Sequence, residues 1–474
     1  MEFAIASKCH RINQQMSDED FKAQPDLLSV EPQTEPPCYF VGLTVENVRS
    51  FGAAQSLDLS DGQGRPAQWV VLLGDNGSGK TTLLQSLAAM VPCPLQVNRS
   101  RDNPHGMHWA TVPDIFLNSG VAEKYRNFLR VGAGRFKISA QLATGVRIQA
   151  KNAQFRQHSV AVDIIDTIGG SSGGKFPSGI ELFKVYGYGA TRRIGSASLS
   201  ETRDSDPCAT LFDENCALLN AEEWMLQADY AAVKSNDQNA AQRRDRIKSI
   251  LIRLLPDVDD LRIETSVGKT AFVEALTPFG WVKVRSLSSG YRSVVAWMVD
   301  LASRLFERYP NSQDPLAEPA VVLVDQIDLL LHPKWQRELV QTLTAIFQNT
   351  QFIVTAHSPL IVQAATEAKI VLLRREGDHV VIDNRPDSVR GWRLDQIISS
   401  DLFENLGTRD PKTEELLKQR KDILTKPALS EDDKNALHKI DEAIGVLRFG
   451  ENAEQNRAME IIERAAKKLQ GQTL

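Results

Sequence analysis

Cysteine is scarce and scattered in this sequence of 474 residues. The five cysteines are Cys9, Cys38, Cys93, Cys208 and Cys216. They form no CxxC pair and have no histidine at zinc-finger spacing, which excludes a disulfide framework and a structural zinc cluster as the basis of the fold. The pattern predicts a reduced protein of the cytoplasm.

Long apolar runs and a strong excess of one charge are also missing. No stretch approaches the ~18 apolar residues of a membrane-spanning helix, and the first residues lack an apolar core followed by a small-residue cleavage site. The sequence therefore predicts no membrane partner. The formal net charge of -5 argues against a surface coated with positive charge, but it leaves a local DNA-binding groove open.

Strand patterns and helical patterns alternate along the chain, which predicts an α/β fold. Residues 1–38 are polar, so we expect an extension outside the core. The predicted strands are YFVGLTVENV, AQSLDLS, QWVVLLG, RFKISAQLA, RIQAKN, VVLVD and FIVTA, of which RFKISAQLA and RIQAKN suggest an antiparallel sheet beside the main one. Helical spacing marks EEWMLQADYAAV, RDRIKSILIRLL, VVAWMVDLASRLF and a tail from about Lys412.

A glycine-rich segment at residues 74–81, GDNGSGKT, lies between a predicted strand and a predicted helix. Its glycines allow backbone N–H groups to surround phosphates, while the lysine reaches the outer phosphates and the threonine hydroxyl binds Mg²⁺. The predicted nucleotide contacts are Gly74, Asn76, Gly77, Ser78, Gly79, Lys80, Thr81 and Thr82. A second GxxxxGK match at residues 169–175 precedes Phe176 and Pro177, so we interpret it as a surface loop.

Three further motifs lie downstream of the glycine-rich segment. The strand VVLVD ends in Asp325, which with Thr81 is the predicted magnesium ligand set. The segment LSSGYR precedes a helix, so Ser288, Ser289 and Gly290 form a candidate anion site at its N-terminus. His357 ends the strand FIVTA, where it could bond a phosphate or an attacking water.

The order GDNGSGKT, LSSGY, VVLVDQ with LLLHP, and TAHSP resembles the ABC-type ATPase heads of the RecF, structural-maintenance and overcoming-lysogenization-defect superfamily. The resemblance implies a mixed or parallel sheet around the phosphate loop, an antiparallel β subdomain and an inserted helical lobe at about 205–310. It places the head at residues 39–386 and a C-terminal helical extension at 387–474. From NVRSFG it also implies that Arg49, Ser50 and Phe51 lie near the nucleotide.

In heads of this kind two copies sandwich two ATP molecules, so the resemblance implies ATP and Mg²⁺ as cofactors and a homodimer or a higher even-numbered oligomer. Hundreds of residues of heptads would be needed for a long-armed member, and the segment between Lys80 and Leu287 lacks them. No Toprim-like acidic pattern and no HNH pattern stands out.

The segments VYGYGATRR, GWRLDQIISSDLF and RFGENAEQNRAMEIIERAA are similar to compact ATPases of bacterial anti-phage systems of the Septu type. That resemblance implies a sensor or scaffold for a separately encoded nuclease or other effector. A RecF-like DNA-repair clamp and a nucleotide-gated scaffold without turnover are the alternative functions.

Two basic clusters leave alternatives open. Arg192 and Arg193 could contact phosphate or a partner, or form a solvated basic turn. Helical spacing puts four basic residues on neighbouring faces beside a buried apolar stripe, namely Arg243, Arg244, Arg246 and Lys248. For these four we favour a solvated face over a DNA contact, because a single basic turn is small for an electrostatic footprint.

Gln326 occupies the position where these heads carry the glutamate that polarises the attacking water. Glutamine preserves size and hydrogen bonding but cannot accept a proton, so we predict a head that binds ATP, closes and then stalls. The amide is either an introduced change that holds the ATP-bound state or a natural device that uses ATP as structural glue. We favour the first, because the rest of the machinery, including His357, is intact.

Overall fold

The computed structural model describes residues 37–96, 107–111, 128–145, 147–150, 156–165, 183–193, 195, 206–234, 238–265, 271–386, 390–426 and 430–444. The predicted extension at 1–38, except for its last two residues, and the glycine-rich match at 169–175 lie outside these ranges. Among the described residues, those up to Ile397 form one compact unit and those from Ile398 form another.

The described residues form fifteen strands. In chain order they are β1 (Cys38–Glu46), β2 (Gln55–Asp58), β3 (Trp69–Gly74), β4 (Pro92–Gln96), β5 (Met107–Thr111), β6 (Arg135–Thr144), β7 (Arg156–Ile165), β8 (Val185–Tyr188), β9 (Asp260–Glu264), β10 (Phe272–Thr277), β11 (Gly280–Lys283), β12 (Ala320–Val324), β13 (Thr350–Thr355), β14 (Lys369–Glu376) and β15 (His379–Asp383).

The α-helices of the described residues are also numbered in chain order. They are α1 (Lys80–Ala89), α2 (Ala209–Phe212), α3 (Ala221–Lys234), α4 (Gln238–Leu254), α5 (Ser289–Arg308), α6 (Pro333–Ile346), α7 (Pro359–Ala364), α8 (Leu394–Ile398), α9 (Pro411–Leu424) and α10 (Glu431–Ile444). Short 3₁₀ turns occur at Val284–Ser286, Pro315–Ala317 and Asp401–Phe403. None of the helices in the described ranges is long and apolar enough to cross a membrane.

The main sheet has six strands in the order β15-β14-β3-β13-β12-β8. All neighbours are parallel except β15, which pairs antiparallel with β14 at one edge. Strands β12 and β13 are buried along their whole length, as expected for a parallel sheet covered on both faces. This confirms the predicted α/β class and the parallel sheet around the phosphate loop.

A four-stranded antiparallel sheet, in the order β2-β1-β6-β7, packs with the main sheet around one hydrophobic core. Polar side chains also join the two sheets: Gln351 on β13 bonds both the N–H and the C=O of Phe40, and the Tyr39 hydroxyl donates to the Asn349 carbonyl at 2.7 Å. The predicted antiparallel subdomain is therefore present, and its first strand is fixed against the strand that leads to His357.

The predicted strand RIQAKN is wrong for the residues of it that are described. Residues 147–150 form a turn, because side chains from elsewhere take their backbone polar groups. Arg65 donates to the carbonyls of Ile148 and Ala150, and the Asn349 amide oxygen accepts from the N–H of Gln149. These tertiary contacts outweigh the apolar alternation that suggested a strand.

Helices α3 and α4 form the helical lobe together with the antiparallel sheet β11-β10-β9. Three basic residues of α4 form ion pairs within the chain: Arg244 pairs with Asp229 and Asp245, Arg246 with Asp314, and Lys248 with Asp260. Arg243 lies over the Phe306 ring at 5.9 Å. Neutralised by acidic neighbours, this face gives little electrostatic footprint for a nucleic acid.

The smaller unit contains the helices α9 and α10, as the helical pattern after Lys412 predicted. Asp410 caps α9 by accepting from the N–H of Thr413 at 3.0 Å, and Pro411 occupies the first helical position. An ion pair between Arg420 and Asp441 joins the two helices at 2.7 Å.

Candidate nucleotide site

Four neighbouring parallel strands end at the same edge of the main sheet. Strand β3 leads into the glycine-rich loop, β13 into residues 355–357, β12 into residues 325–326, and β8 into residues 189–192. Ligands of open α/β sheets bind outside the carboxyl ends of the strands. Motifs that are hundreds of residues apart in the sequence are thus brought together at one place.

The glycine-rich loop needs glycine where its backbone turns. Gly74, Gly77 and Gly79 have φ angles of 141°, 78° and 87°, which side-chain-bearing residues rarely adopt. A Cβ at Gly79 would also lie 2.5 Å from the Ser50 hydroxyl oxygen. The loop therefore begins α1 through a backbone that requires glycine, and within it the N–H groups of Asn76 and Ser78 already donate to Asp75.

Lys80 lies across this loop and is 6% exposed. Its ammonium donates to the carbonyls of Gly74 and Asp75, at 2.8 Å each. Burial lowers its pKa, while the carboxylates of Asp325 and Asp75 act in the opposite direction. The Ser78 hydroxyl is buried and has no partner among the described residues, which leaves it available to a phosphate.

Asp325 accepts two hydrogen bonds from hydroxyl groups. Thr81 donates to its Oδ2 at 2.7 Å and Thr355 donates to its Oδ1 at 2.6 Å. The two predicted magnesium ligands are thus in contact. Thr355 was not among the predicted site residues, although a sequence signal was available, since it is the last strand residue before the AHSP segment.

The residues present fit a magnesium ion bound with ATP. Within the described chain there is no cluster of three or more His, Cys, Asp or Glu side chains that could hold a metal unaided. Mg²⁺ in nucleotide sites commonly takes one or two carboxylates together with phosphate oxygens and water. A hydroxyl and a carboxylate in contact, Thr81 and Asp325, suit that mode of binding.

Gln326 is half-buried and has a left-handed backbone with φ 49°. Its N–H donates to the Thr355 hydroxyl at 2.7 Å, and its carbonyl accepts from Arg192 Nη2 at 2.7 Å. Arg192 is only 3% exposed, so the solvated-turn interpretation is wrong for this residue. Arg193, the next residue, is exposed.

His357 lies at the end of β13, close to the glycine-rich loop. Its backbone N–H donates to Asp328 Oδ2 at 3.1 Å and the residue as a whole is exposed. Partial desolvation of the imidazole and the nearby Lys80 ammonium lower its pKa below the ordinary value of 6.5. His357 is therefore neutral near pH 7, which allows one ring nitrogen to accept a hydrogen bond.

The predicted signature residues lie at the start of α5. Ser288 is the N-cap residue, but its side chain makes no capping hydrogen bond within the described chain, and both Ser288 and Ser289 are exposed. Gly290 is buried because α5 approaches the turn after β12 closely: a Cβ there would collide with the carbonyl oxygen of Leu330. The serines are thus presented outward by a tightly packed helix start.

Arg49, Ser50 and Phe51 lie behind the glycine-rich loop. Arg49 Nη1 donates to Gln85 Oε1 on α1 at 2.7 Å and its guanidinium stacks over Phe128. The Phe51 ring is fully buried and would contact a Cβ at Gly79. In this structure Arg49 and Phe51 pack against the glycine-rich loop and the helix that follows it. The sequence alone does not distinguish this structural role from contact with the nucleotide.

Sequence families match both halves of this site. Residues 43–91, which include the glycine-rich loop, match a family of AAA domains. Residues 172–363 match a second AAA-domain family, whose description also cites the AbiEii toxin and type IV toxin–antitoxin systems. These matches confirm the predicted resemblance to ATPases with an AAA-type domain.

Two curated relatives are similar to most of this chain, and a third is similar to a smaller part of it. The Septu protein PtuA of Bacillus mycoides is 24% identical over 82% of this chain, and that of Bacillus thuringiensis is 24% identical over 77% of this chain and 84% of its own length. The "Retron Ec83 probable ATPase" of Escherichia coli is 35% identical over 33% of this chain. The match spans about half (48%) of the Bacillus mycoides protein and 28% of the retron protein.

Solved structures with a similar course of the chain include SMC heads and RecF. The SMC head domain from Thermotoga maritima has a TM-score of 0.38 at 14% identity, covering 73% of this chain and 98% of its own. The recombination mediator RecF bound to ATP has a TM-score of 0.36 at 12% identity, covering 74% of this chain and 100% of its own.

Proposed function

We propose that this ATPase binds ATP with Mg²⁺, dimerises around the nucleotide, and acts as sensor and scaffold for a separately encoded nuclease or toxin effector in bacterial anti-phage defence. The observation that carries the proposal is the contact of the Thr81 hydroxyl with Asp325 at 2.7 Å, directly beside the buried Lys80. A cationic side chain, a hydroxyl and a carboxylate meet where the glycine-rich loop begins α1.

The residues of this edge have separable tasks. The loop N–H groups and Lys80 bind the phosphate oxygens, and Thr81 with Asp325 would hold Mg²⁺, which draws negative charge from the outer phosphates. The N–H of residue 326 donates to the Thr355 hydroxyl, which itself donates to Asp325, so residue 326 is tied to the predicted magnesium ligand. A glutamine there orients water but cannot take its proton, so hydrolysis is slow.

Dimerisation is supported by the outward-facing serines of α5. Ser288 and Ser289 are exposed at a helix N-terminus, and Ser288 makes no side-chain capping bond within the described chain. Such a group binds an anion favourably, and a phosphate presented by a second head would supply it. The defence role is supported by the likeness to proteins named Septu and retron ATPases.

The test compares ATP turnover of the chain with that of Gln326→Glu, with particle mass recorded with and without ATP. We expect turnover to rise by about 10²–10⁴-fold, the usual contribution of a general base. Gln348→Glu, the same change at an exposed position, is the matched control and should leave turnover unchanged. If Gln326→Glu hydrolyses ATP no faster than the starting chain while ATP still drives dimerisation, the result would instead support the scaffold without turnover.

Co-purification separates the defence role from a RecF-like clamp. A stoichiometric nuclease subunit supports the defence role, whereas hydrolysis stimulated by DNA in the absence of a partner supports the clamp. The ion pairs that engage Arg244, Arg246 and Lys248 weigh against a DNA surface on α4.

A further inference from the structure

Arg192 is a buried cation that the proposed reaction leaves without a role. Its guanidinium donates to the Gln326 carbonyl at 2.7 Å, and its Nε is buried without an acceptor among the described residues. Asp325 and Asp328 lie near enough to stabilise its charge. Burying a charged side chain costs free energy unless the charge is paired. The two carboxylates offset that cost for Arg192, but they do not explain why a cation is buried at this place.

Strand β8, which leads to Arg192, is itself held in place by its neighbours. Beside β8, Thr210 donates to the Gly187 carbonyl at 3.0 Å and accepts from the N–H of Gly189 at 3.2 Å. The Tyr188 hydroxyl donates to Asp300 on α5 at 3.0 Å. The segment that carries Arg192 is thus fastened on two sides before it reaches the nucleotide edge.

Residue 326 needs external support to keep its geometry. Its left-handed φ of 49° is unfavourable for a residue with a side chain by about 1 kcal/mol or more. Thr355 fixes the N–H of this residue and Arg192 fixes its carbonyl. Loss of either contact would let the peptide relax and would move the side chain away from the water it must orient.

The geometry points to Arg192 as a positioning residue for the side chain at 326: by binding the carbonyl of that residue it sets the direction in which the catalytic group projects. The inference rests on the proposed ATPase reaction and names a further residue for it. Arg192 acts through residue 326 and not by contact with the reacting atoms.

The experiment uses the full chain carrying Gln326→Glu as the parent. We compare Arg192→Met, Arg192→Lys and, as a matched control, Arg193→Met, whose arginine is adjacent and exposed. The readouts are kcat, KM, the Kd of a fluorescent ATP analogue, and amide hydrogen exchange of residues 325–331. Arg192→Met should lower kcat by about 10²-fold, as a displacement of about 1 Å can.

The Kd should stay within about threefold, and exchange should quicken over residues 325–331. Arg192→Lys, which keeps a cation and one donor, should recover about tenfold of the lost kcat, and Arg193→Met should match the parent. The inference is overturned if Arg192→Met leaves kcat like that of Arg193→Met, or if Kd rises in step with the loss of kcat.

If Arg192→Met does not fold, Arg192→Lys decides: kcat about tenfold below the parent at unchanged Kd supports positioning, and kcat equal to the parent overturns it. A Gln326→Glu parent without turnover would refute the proposed hydrolysis itself, and the positioning of a catalytic group with it. If the parent is active and Arg192→Met behaves like Arg193→Met, the result refutes only the role of Arg192.

Discussion

The phosphate-loop edge and the signature edge of this chain differ in where their polar groups find partners. At the phosphate-loop edge Lys80, Thr81 and Asp325 are bonded to one another or to the loop, and Lys80 and Asp325 are each 6% exposed. At the signature edge Ser288 and Ser289 are exposed, and Ser288 makes no capping bond within the described chain.

The difference bears on the proposed dimer, in which each nucleotide would contact both edges. At the phosphate-loop edge the charged groups and the Thr81 hydroxyl are already paired, so the edge keeps its shape without ligand, and the buried Ser78 hydroxyl is left as a donor for a phosphate. An edge whose hydroxyls lack partners gains hydrogen bonds only when another molecule arrives. The two edges are therefore consistent with the proposed dimer, in which one head supplies each edge.

Removing the Lys80 cation should have the largest effect on the phosphate-loop edge. Lys80→Met should raise the Kd of ATP by roughly 10²-fold, because hydrogen bonds to charged groups contribute about 1.5–3 kcal/mol. The measurement is titration with a fluorescent ATP analogue. Lys184→Met, which removes an exposed lysine before β8, is the control and should bind like the parent. Equal affinity in both variants would contradict a nucleotide at this edge.

A change at Gly290 tests whether the signature edge is rigid despite its exposed serines. Gly290→Ala should lower the free energy of unfolding by about 1–3 kcal/mol, because its Cβ meets the Leu330 backbone, which cannot move aside cheaply. This exceeds the gain of about 1 kcal/mol in helix propensity. Urea unfolding followed by tryptophan fluorescence, to which the buried Trp297 on α5 contributes, measures the change.

Ser288→Ala supplies the contrast within the same helix start. An N-cap serine usually contributes about 1 kcal/mol, but here its side chain makes no capping bond, so the loss should stay within about 0.5 kcal/mol. If Ser288→Ala lowers the free energy of unfolding as much as Gly290→Ala, the Ser288 hydroxyl already has a partner in the single chain. The two edges would then not differ in the pairing of their polar groups.

The smallest change should come from exposing the phosphate-loop edge to acid. The pKa of His357 in the folded protein lies below the ordinary 6.5, chiefly through burial and then through Lys80. The unfolded chain therefore binds the proton more readily, so His357 has no effect on stability above about pH 6.5 and reduces it as the pH falls further. His357→Gln should weaken this acid sensitivity, as measured by unfolding at pH 7 and 5.5. Parallel curves for the two proteins would contradict it.

The sequence motifs were sufficient to predict the sheet, the strand that ends in Asp325 and the meeting of Thr81 with that carboxylate. These predictions hold because local patterns of glycine, apolar runs and helix starts are set by short stretches of chain. The contacts of Thr355 with Asp325 and of Arg192 with Gln326 were not predicted, although the position of Thr355 before the AHSP segment offered a signal. Each depends on which strands are neighbours in the sheet, and a single sequence does not state that order.

Arg192 shows the limit most clearly. A basic pair after a strand suits a solvated turn as well as a site, and only the burial of one member separates it from Arg193. The turn at residues 147–150 shows the converse, since a strand-like alternation is overruled by Arg65 and Asn349, which lie far away in the chain.

The strand order of the main sheet also determines when β3 can form its hydrogen bonds during translation. Strand β3 lies between β13 and β14, and Trp69 pairs with Phe352. The hydrogen bonds between β3 and β13 can therefore form only after about 280 further residues have been synthesised. At about 5–20 residues per second a ribosome needs tens of seconds to deliver that partner. During that interval the apolar segment before the phosphate loop has neither of its sheet neighbours, so nascent chains should depend on chaperones until β13 and β14 have been synthesised.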